Sequence, residues 1–175
     1  MICNKIVDET HLIEPKNKYI VDTNILIYLY GDTELKTENK RNKMLSEKFL
    51  HALNIKCKVY IPAIVLSEFI NRFHKLEYKR IRRNYTKKCK YDYKNDYRNS
   101  EDYKKNNQFI LNTIKHTILD RCELISDGFE KSNIEKIMAV EDNQDFNDNL
   151  IIDIANRNGL YVISADMDTK KIQIK

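Results

Sequence analysis

From residue 18 onward, short apolar runs alternate with longer stretches of helical periodicity. Lys18-Tyr-Ile-Val-Asp22 and Lys58-Val-Tyr-Ile-Pro62 read as buried strands, and Arg121-Cys-Glu-Leu-Ile125 and Leu160-Tyr-Val-Ile-Ser164 follow them. Each is apolar, partly β-branched and bounded by breakers or charges, as the strands of a covered sheet are. Residues 172–174 offer a short last strand. Between these runs lie helical patterns. Residues 23–30 leave the first strand directly, and residues 38–53 place Met44, Leu45, Phe49, Ala52 and Leu53 along one face. Residues 64–82 carry Val65, Phe69, Phe73 and Leu76 at helical spacing, and residues 103–119 do the same with Phe109, Ile110 and Ile114. Ser132 precedes a helix over 133–139 with Glu135 near its start, a capping arrangement. The last helix is expected over 148–158, with Asn147 as its cap and Gly159 as its stop.

This alternation predicts an α/β fold, a three-layer sandwich with a central, mainly parallel sheet of four to five strands. Sites in such sheets form outside the carboxyl ends of the strands, so the polar residues that follow each strand are where chemistry is sought. The length fits a single domain over 1–175 with a sizeable core. One stretch, about 78–105, breaks the pattern. It holds eleven Lys/Arg against four Asp/Glu, a net +7 in a chain of net +5, and six of the eleven Tyr. Its apolar residues are too few for a core of its own, so it reads as a helical or loop excursion within the domain.

The residues after the strands are acids. Asp22 closes the first strand in Val-Asp22-Thr23-Asn24, and Asp166 follows the fourth in Ser164-Ala-Asp166-Met-Asp168. Glu68 interrupts an otherwise apolar helical surface in Pro62-Ala-Ile-Val-Leu-Ser67-Glu68-Phe69, and Asp148 opens the last helix. Taken singly, each has an ordinary explanation: Asp22 can cap a helix, Asp148 can complement a helix dipole, Asp166 can hold a turn and Glu68 can sit in solvent. Jointly those explanations weaken, because the layered fold would gather these positions at one edge of the sheet. A cluster of carboxylates repels itself and needs protons or a cation. Without Cys or His partners, hard oxygen ligands favour Mg²⁺ or Mn²⁺. Such an ion binds a phosphate oxygen, lowers the pKa of a water and stabilises a leaving oxygen, which points to phosphodiester hydrolysis.

Other chemistries find less support. Cys3, Cys57, Cys89 and Cys122 contain no C-x-x-C pair, and His11, His51, His74 and His116 are isolated, so free thiols are expected and no zinc spacing is visible. Position 24 is Asn where a haloacid-dehalogenase phosphatase needs its second Asp, and Gly31, Gly128 and Gly159 supply no phosphate loop. Ser67 and Ser164 have no His near them in sequence. No run approaches the roughly 18 apolar residues of a membrane span. Asp8, Glu9, His11 and Glu14 interrupt the place of a secretory signal, so a cytoplasmic location is expected.

From about residue 18 to 174 the chain resembles the PIN-domain family. Val-Asp22-Thr23-Asn24-Ile-Leu-Ile is similar to its opening block, Ile61-Pro62 through Ser67-Glu68-Phe69 to its second, Asp145-Phe-Asn-Asp148-Asn-Leu-Ile to its third, and Tyr161-Val-Ile-Ser164-Ala-Asp166-Met-Asp168 to its fourth. Each block is weak alone; four in order, each with its acid, are fairly specific. The resemblance implies a Mg²⁺- or Mn²⁺-dependent endoribonuclease whose metal-binding and catalytic acids are Asp22, Glu68, Asp148 and Asp166. Ser164 matches a hydroxyl position, usually Thr, that orders the site, and Asn24 is assigned a similar supporting role. Asp145 and Asp168 are supporting acids. Small bacterial relatives are often toxins of toxin–antitoxin pairs, which implies RNA, a cognate antitoxin and a homodimer as partners.

The basic excursion departs from the common family pattern. Arg80, Arg82, Arg83, Lys87, Lys88 and Lys90 are candidate phosphate contacts, and Tyr85, Tyr91 and Tyr93 are candidates to stack on bases; a solvated helix or loop is the alternative. Two further functional readings stay open: a catalytically silent PIN-like RNA-binding or scaffold protein, and a 5′-nuclease acting on DNA.

Overall fold

The computed structural model describes residues 5–31, 40–85, 90–138 and 145–166. Four strands, β1 (Lys18–Val21), β2 (Lys58–Pro62), β3 (Glu123–Ile125) and β4 (Tyr161–Ile163), form one parallel sheet in the order β3-β2-β1-β4. The helices are α1 (Thr23–Tyr30), α2 (Lys40–Asn54), α3 (Ala63–Arg82), α4 (Glu101–Thr113), α5 (Ile134–Met138) and α6 (Phe146–Asn158). Parallel crossovers are right-handed, so steps in one direction, β1 to β2 to β3, put their helices on one face. The return from β3 to β4 puts α5 and α6 on the other. The packing agrees: α1 lies against α2 and α3, while α6 lies against α5, β1 and β4. This is the expected three-layer sandwich, and its strand order reverses between β1 and β4.

Burial explains why the central strands read so clearly. Tyr19, Ile20 and Val21 of β1 and Val162 and Ile163 of β4 are fully buried, packed with Phe49, Phe69 and Ile152 from helices of both faces. β3 is different. It is three residues long, starts later than the run over 121–125 suggested, and exposes Leu124, because it is the sheet's edge. Residues 172–174 lie outside the described residues. An extra pairing comes instead from the other end of the chain: Ile6 bridges Val162 in parallel, with Val7 N donating to Val162 O at 2.8 Å and Val162 N to Lys5 O at 2.7 Å.

Three helix boundaries differ from the sequence reading. α6 starts two residues early, because Asp145 and Asp148 form a reciprocal box: Asp148 N donates to Asp145 Oδ1 at 3.0 Å and Asp145 N to Asp148 Oδ2 at 3.2 Å. Asn147 is therefore free of capping duty. α5 is capped by Asn133, which accepts from Lys136 N, while the Ser132 hydroxyl donates to Asp153 instead. α4 is capped by Ser100 and passes into a π turn at Ile114–Ile118 rather than running on as α-helix. Gly159 does end α6, at φ 67°, a left-handed position that suits glycine.

The excursion is not a loose polar arm. Tyr78 on α3 receives Tyr91, Tyr93 and Tyr97 at ring centroid distances of 6.0, 5.3 and 5.8 Å, and Tyr97 is fully buried. Tyr97 OH meets His74 Nδ1 at 3.2 Å and accepts from Asn106 Nδ2 at 3.3 Å. His74 Nε2 faces Asn107 Oδ1 at 3.3 Å, so the proton belongs on Nε2 and Nδ1 accepts from the tyrosine. Burial pushes the Tyr97 hydroxyl up to about 12 and holds the His74 imidazole below its usual value, so both stay neutral. Aromatic faces thus replace the aliphatic core that this stretch lacks. Tyr97→Phe leaves His74 Nδ1 without its donor, while Asn106 keeps its bond to Glu77, and is expected to cost about 1–2 kcal/mol in denaturant unfolding. Tyr85→Phe, at a half-exposed ring, is expected to stay within about 0.5 kcal/mol.

Candidate active site

The site is built where β1 and β4 end side by side. Asp22 N donates to Ile163 O at 3.0 Å, which extends the ladder one residue past both strands and sets Asp22 beside Ser164. Asp22 also caps α1, accepting from Thr23 N. Its other oxygen accepts from Ser164 Oγ at 2.6 Å and from Asn24 Nδ2 at 2.8 Å. Asn24 Oδ1 accepts from Ala165 N, and Ser164 Oγ accepts from Asp166 N, so one network ties the loop after β4 to the start of α1. Asp22, Asn24 and Ser164 are buried, whereas Asp166 stands exposed at the mouth.

Glu68 and Asp148 arrive on helices from the two faces. Glu68 lies in the second turn of α3, its side chain about one quarter exposed. Its Oε2 accepts from Thr23 Oγ1 and from Asn147 Nδ2, both at 3.2 Å, while Arg72 Nη1 approaches Oε1 at 3.4 Å. Asp148 is half-buried in the first turn of α6.

The electrostatics show that these groups feel one another. Burial pushes the Asp22 carboxyl up to about 7; repulsion from Asp148 and Asp166 adds to this, against the Ser164 hydroxyl and the Thr23 amide. Asp148 is pushed up to about 6, again by burial first, with Asp145, Asp166 and Glu68 adding repulsion against the Asp145 amide. Among the described residues no three His, Cys, Asp or Glu side chains are drawn tightly enough to cage an ion. The donor set nevertheless fits a hard divalent cation. It is all oxygen, and the repulsion that raises Asp22 and Asp148 is what a cation relieves.

The four acids read from the sequence therefore lie within electrostatic reach of one another, Asp148 with Asp22, Asp166 and Glu68, and Asp22 with Asp166. Asn24 and Ser164 hold Asp22, and Asp145 is engaged as the cap of α6. Asp168, Lys87 and Lys88 lie outside the described residues. Arg82 and Arg83 lie at the far end of α3, away from the acids, and Arg80 is committed to Glu77 at 2.7 Å. Tyr91 and Tyr93 are half-buried against other tyrosines, whereas Tyr85 is exposed. Thr23, Asn147 and Arg72 were missed as supports of Glu68. The signals were faint: Thr23 sits inside the first acidic block, Asn147 looked like a cap, and Arg72 is four positions from Glu68 on one helix.

A family model for the PIN domain matches residues 19–175. The chain belongs to the PIN-domain family. No curated protein and no solved structure matches it. PIN domains are a nuclease family that typically works with divalent metal ions, which agrees with the acid cluster at the carboxyl edge of this parallel sheet. The match begins inside β1, so the segment that pairs with Val162 through Ile6 lies outside it. Among the described residues no helix is long and apolar enough to cross a membrane, and Cys57 and Cys122 are free and buried.

The raised carboxyls fix the sign of a pH effect. Folded Asp22 and Asp148 hold protons that the unfolded chain releases, so their contribution to stability falls as pH rises from about 4 to 7. A cation competes for the same oxygens and binds best above that window. Melting with Mn²⁺ or EDTA is expected to show a clear rise in midpoint with Mn²⁺ at about pH 8 and little at about pH 5. Equal rises at both would mean that other groups hold the ion.

Proposed function

We propose that this PIN domain is a metal-dependent endoribonuclease that hydrolyses phosphodiester bonds in RNA. The observation that carries the reading is the electrostatic proximity of Asp22, Glu68, Asp148 and Asp166, with Asp22 clamped by Ser164 and Asn24. Mg²⁺ or Mn²⁺ held by these four acids would supply a Lewis acid for the phosphate oxygens and lower the pKa of the attacking water. The chain's own residues do the positioning. Three donors fix the Asp22 carboxylate in a single orientation, and Thr23 and Asn147 aim Glu68 from opposite layers of the fold. With water as nucleophile and the 3′ oxygen as leaving group, which the family resemblance supports, the products carry 5′-phosphate and 3′-hydroxyl ends. Membership of the PIN family together with the resemblance to small bacterial relatives supports a cytoplasmic toxin of a toxin–antitoxin pair, with a cognate antitoxin and a second copy of the chain as partners.

The test is cleavage of a panel of labelled RNAs with Mg²⁺, Mn²⁺ or EDTA. Wild type is expected to cut only with metal, and Asp22→Asn to lose about 100-fold or more, as loss of a ligand should. Ser164→Ala is expected to lose about 10- to 100-fold by releasing Asp22, and Ser164→Thr to keep most of the activity. Products ending in 2′,3′-cyclic phosphate would contradict attack by water. Metal-free RNA binding without cleavage, with no response to Mn²⁺ in melting, would favour an RNA-binding scaffold, and preference for flap DNA a 5′-nuclease.

A further inference from the structure

Past Glu68, the solvent-facing side of α3 carries only positive charge. Glu68, Arg72, Lys75, Lys79 and Arg82 follow one another at four, three, four and three positions, which keeps them on one side of a helix. The opposite side is the buried one, formed by Phe69, Phe73, Glu77 and Ile81. The four cations cover about 15 Å at 1.5 Å per residue, and the row starts one turn from an acid of the catalytic mouth. Beyond Glu68, the helix's other carboxylate is Glu77, which is buried and held by Arg80. Arg72 touches Glu68 at 3.4 Å, Arg82 lies over the Tyr78 ring at 6.0 Å, and Lys75 and Lys79 are exposed without an ion pair among the described residues. Basic residues in a last turn offset the helix dipole, which accounts for Lys79 and Arg82 but not for Arg72 and Lys75 in mid-helix. Just past the row, Tyr85 is exposed and stacks on Tyr91 at 4.3 Å.

We propose that this ridge, Arg72, Lys75, Lys79 and Arg82, is a track for single-stranded RNA leaving the catalytic mouth, ending on the exposed Tyr85. Four carboxylates at the mouth repel a phosphate chain, so a strand whose phosphate lies there needs cations close by along its exit. The ridge supplies them in line, at positions that carry no sequence information, and the tyrosine adds a platform on which any base can stack. Such a surface binds unpaired strands with little sequence preference and leaves cleavage preference to the mouth. The inference rests on the nuclease reading above, but it is read by binding rather than by cleavage.

The experiment is fluorescence anisotropy of a labelled oligouridine of about 12 nucleotides with the whole chain in EDTA, over a series of salt concentrations. The variants are the triple Lys75→Ala/Lys79→Ala/Arg82→Ala, the single Tyr85→Ala, and a control triple of equal charge change, Lys18→Ala/Lys43→Ala/Lys136→Ala. All these positions are exposed, and melting curves check that each variant is folded. The ridge triple is expected to lose at least about tenfold in affinity and to flatten the salt slope by about 2, from three contacts at roughly 0.7 each. Tyr85→Ala is expected to lose on the order of tenfold with its slope kept, and the control triple to bind as wild type. Equal losses in the two triples would reduce the effect to net charge and overturn the track, as would an unchanged ridge triple. Tighter binding of an oligoglutamate peptide than of RNA would overturn it in favour of an acidic protein partner. If binding depends on the ridge but wild type cuts nothing with Mn²⁺, the nuclease reading fails and the track stands. If wild type cuts and the ridge triple binds unchanged, the track fails alone.

Discussion

The hydrogen bond from Asp22 N to Ile163 O continues the pairing of β1 with β4 beyond both strands, and the candidate site is organised around it. It brings the end of one strand level with the end of the other at the point where the strand order reverses, the position where open parallel sheets leave a crevice. Once Asp22 is there, Ser164 and Asn24 can reach its carboxylate, Asp166 follows from the loop after β4, and Thr23 at the head of α1 can reach Glu68. Asp148 joins from the helix that packs against both strands. The cost is electrostatic. Burying Asp22 among like charges disfavours its ionised form, and the surrounding donors recover only part of that loss. The strained charge state and the binding potential for a cation are one property seen from two sides.

How much of this was legible in the sequence follows from burial. β1 and β2 lie inside the sheet, and β4 at one end is buried and bridged by Ile6, so their apolar runs stood out, whereas β3 at the other end is largely exposed and carries a weaker signal. The four acids were legible because each follows a strand, opens a helix or interrupts a helical pattern at a place the layered fold converts into proximity. Their supports were not. Asn147 aims at Glu68 across 79 residues of chain, a contact that no local pattern encodes. The same holds for capping: Asp145, Asn147 and Asp148 all suit the start of a helix, and only the reciprocal geometry of Asp145 with Asp148 decides among them.

The tyrosine-rich stretch shows the limit of counting apolar residues. It was expected to lack a core because it has few aliphatic side chains, yet tyrosine can bury a ring while its hydroxyl finds a partner. Tyr97 does so between His74 and Asn106, and Tyr78 holds the returning chain through its hydroxyl to Tyr91 O at 2.8 Å. The excursion is consequently fastened to the far half of α3. That support gives the exposed side of the helix a fixed direction with respect to the acids at its start.

Ser164 lies 142 residues beyond Asp22. A chain made from its amino end therefore emerges with Asp22 and Glu68 long before β4, and until β4 pairs with β1 neither the clamp on Asp22 nor the loop bearing Asp166 exists. Local helices form early, while a parallel pairing across most of the chain is slow and comes late. A chain without β4 therefore carries Asp22 and Glu68 but neither Asp166 nor the clamp from Ser164. In a nuclease family, this connectivity makes the metal-binding potential of the acids conditional on the pairing of β4 with β1.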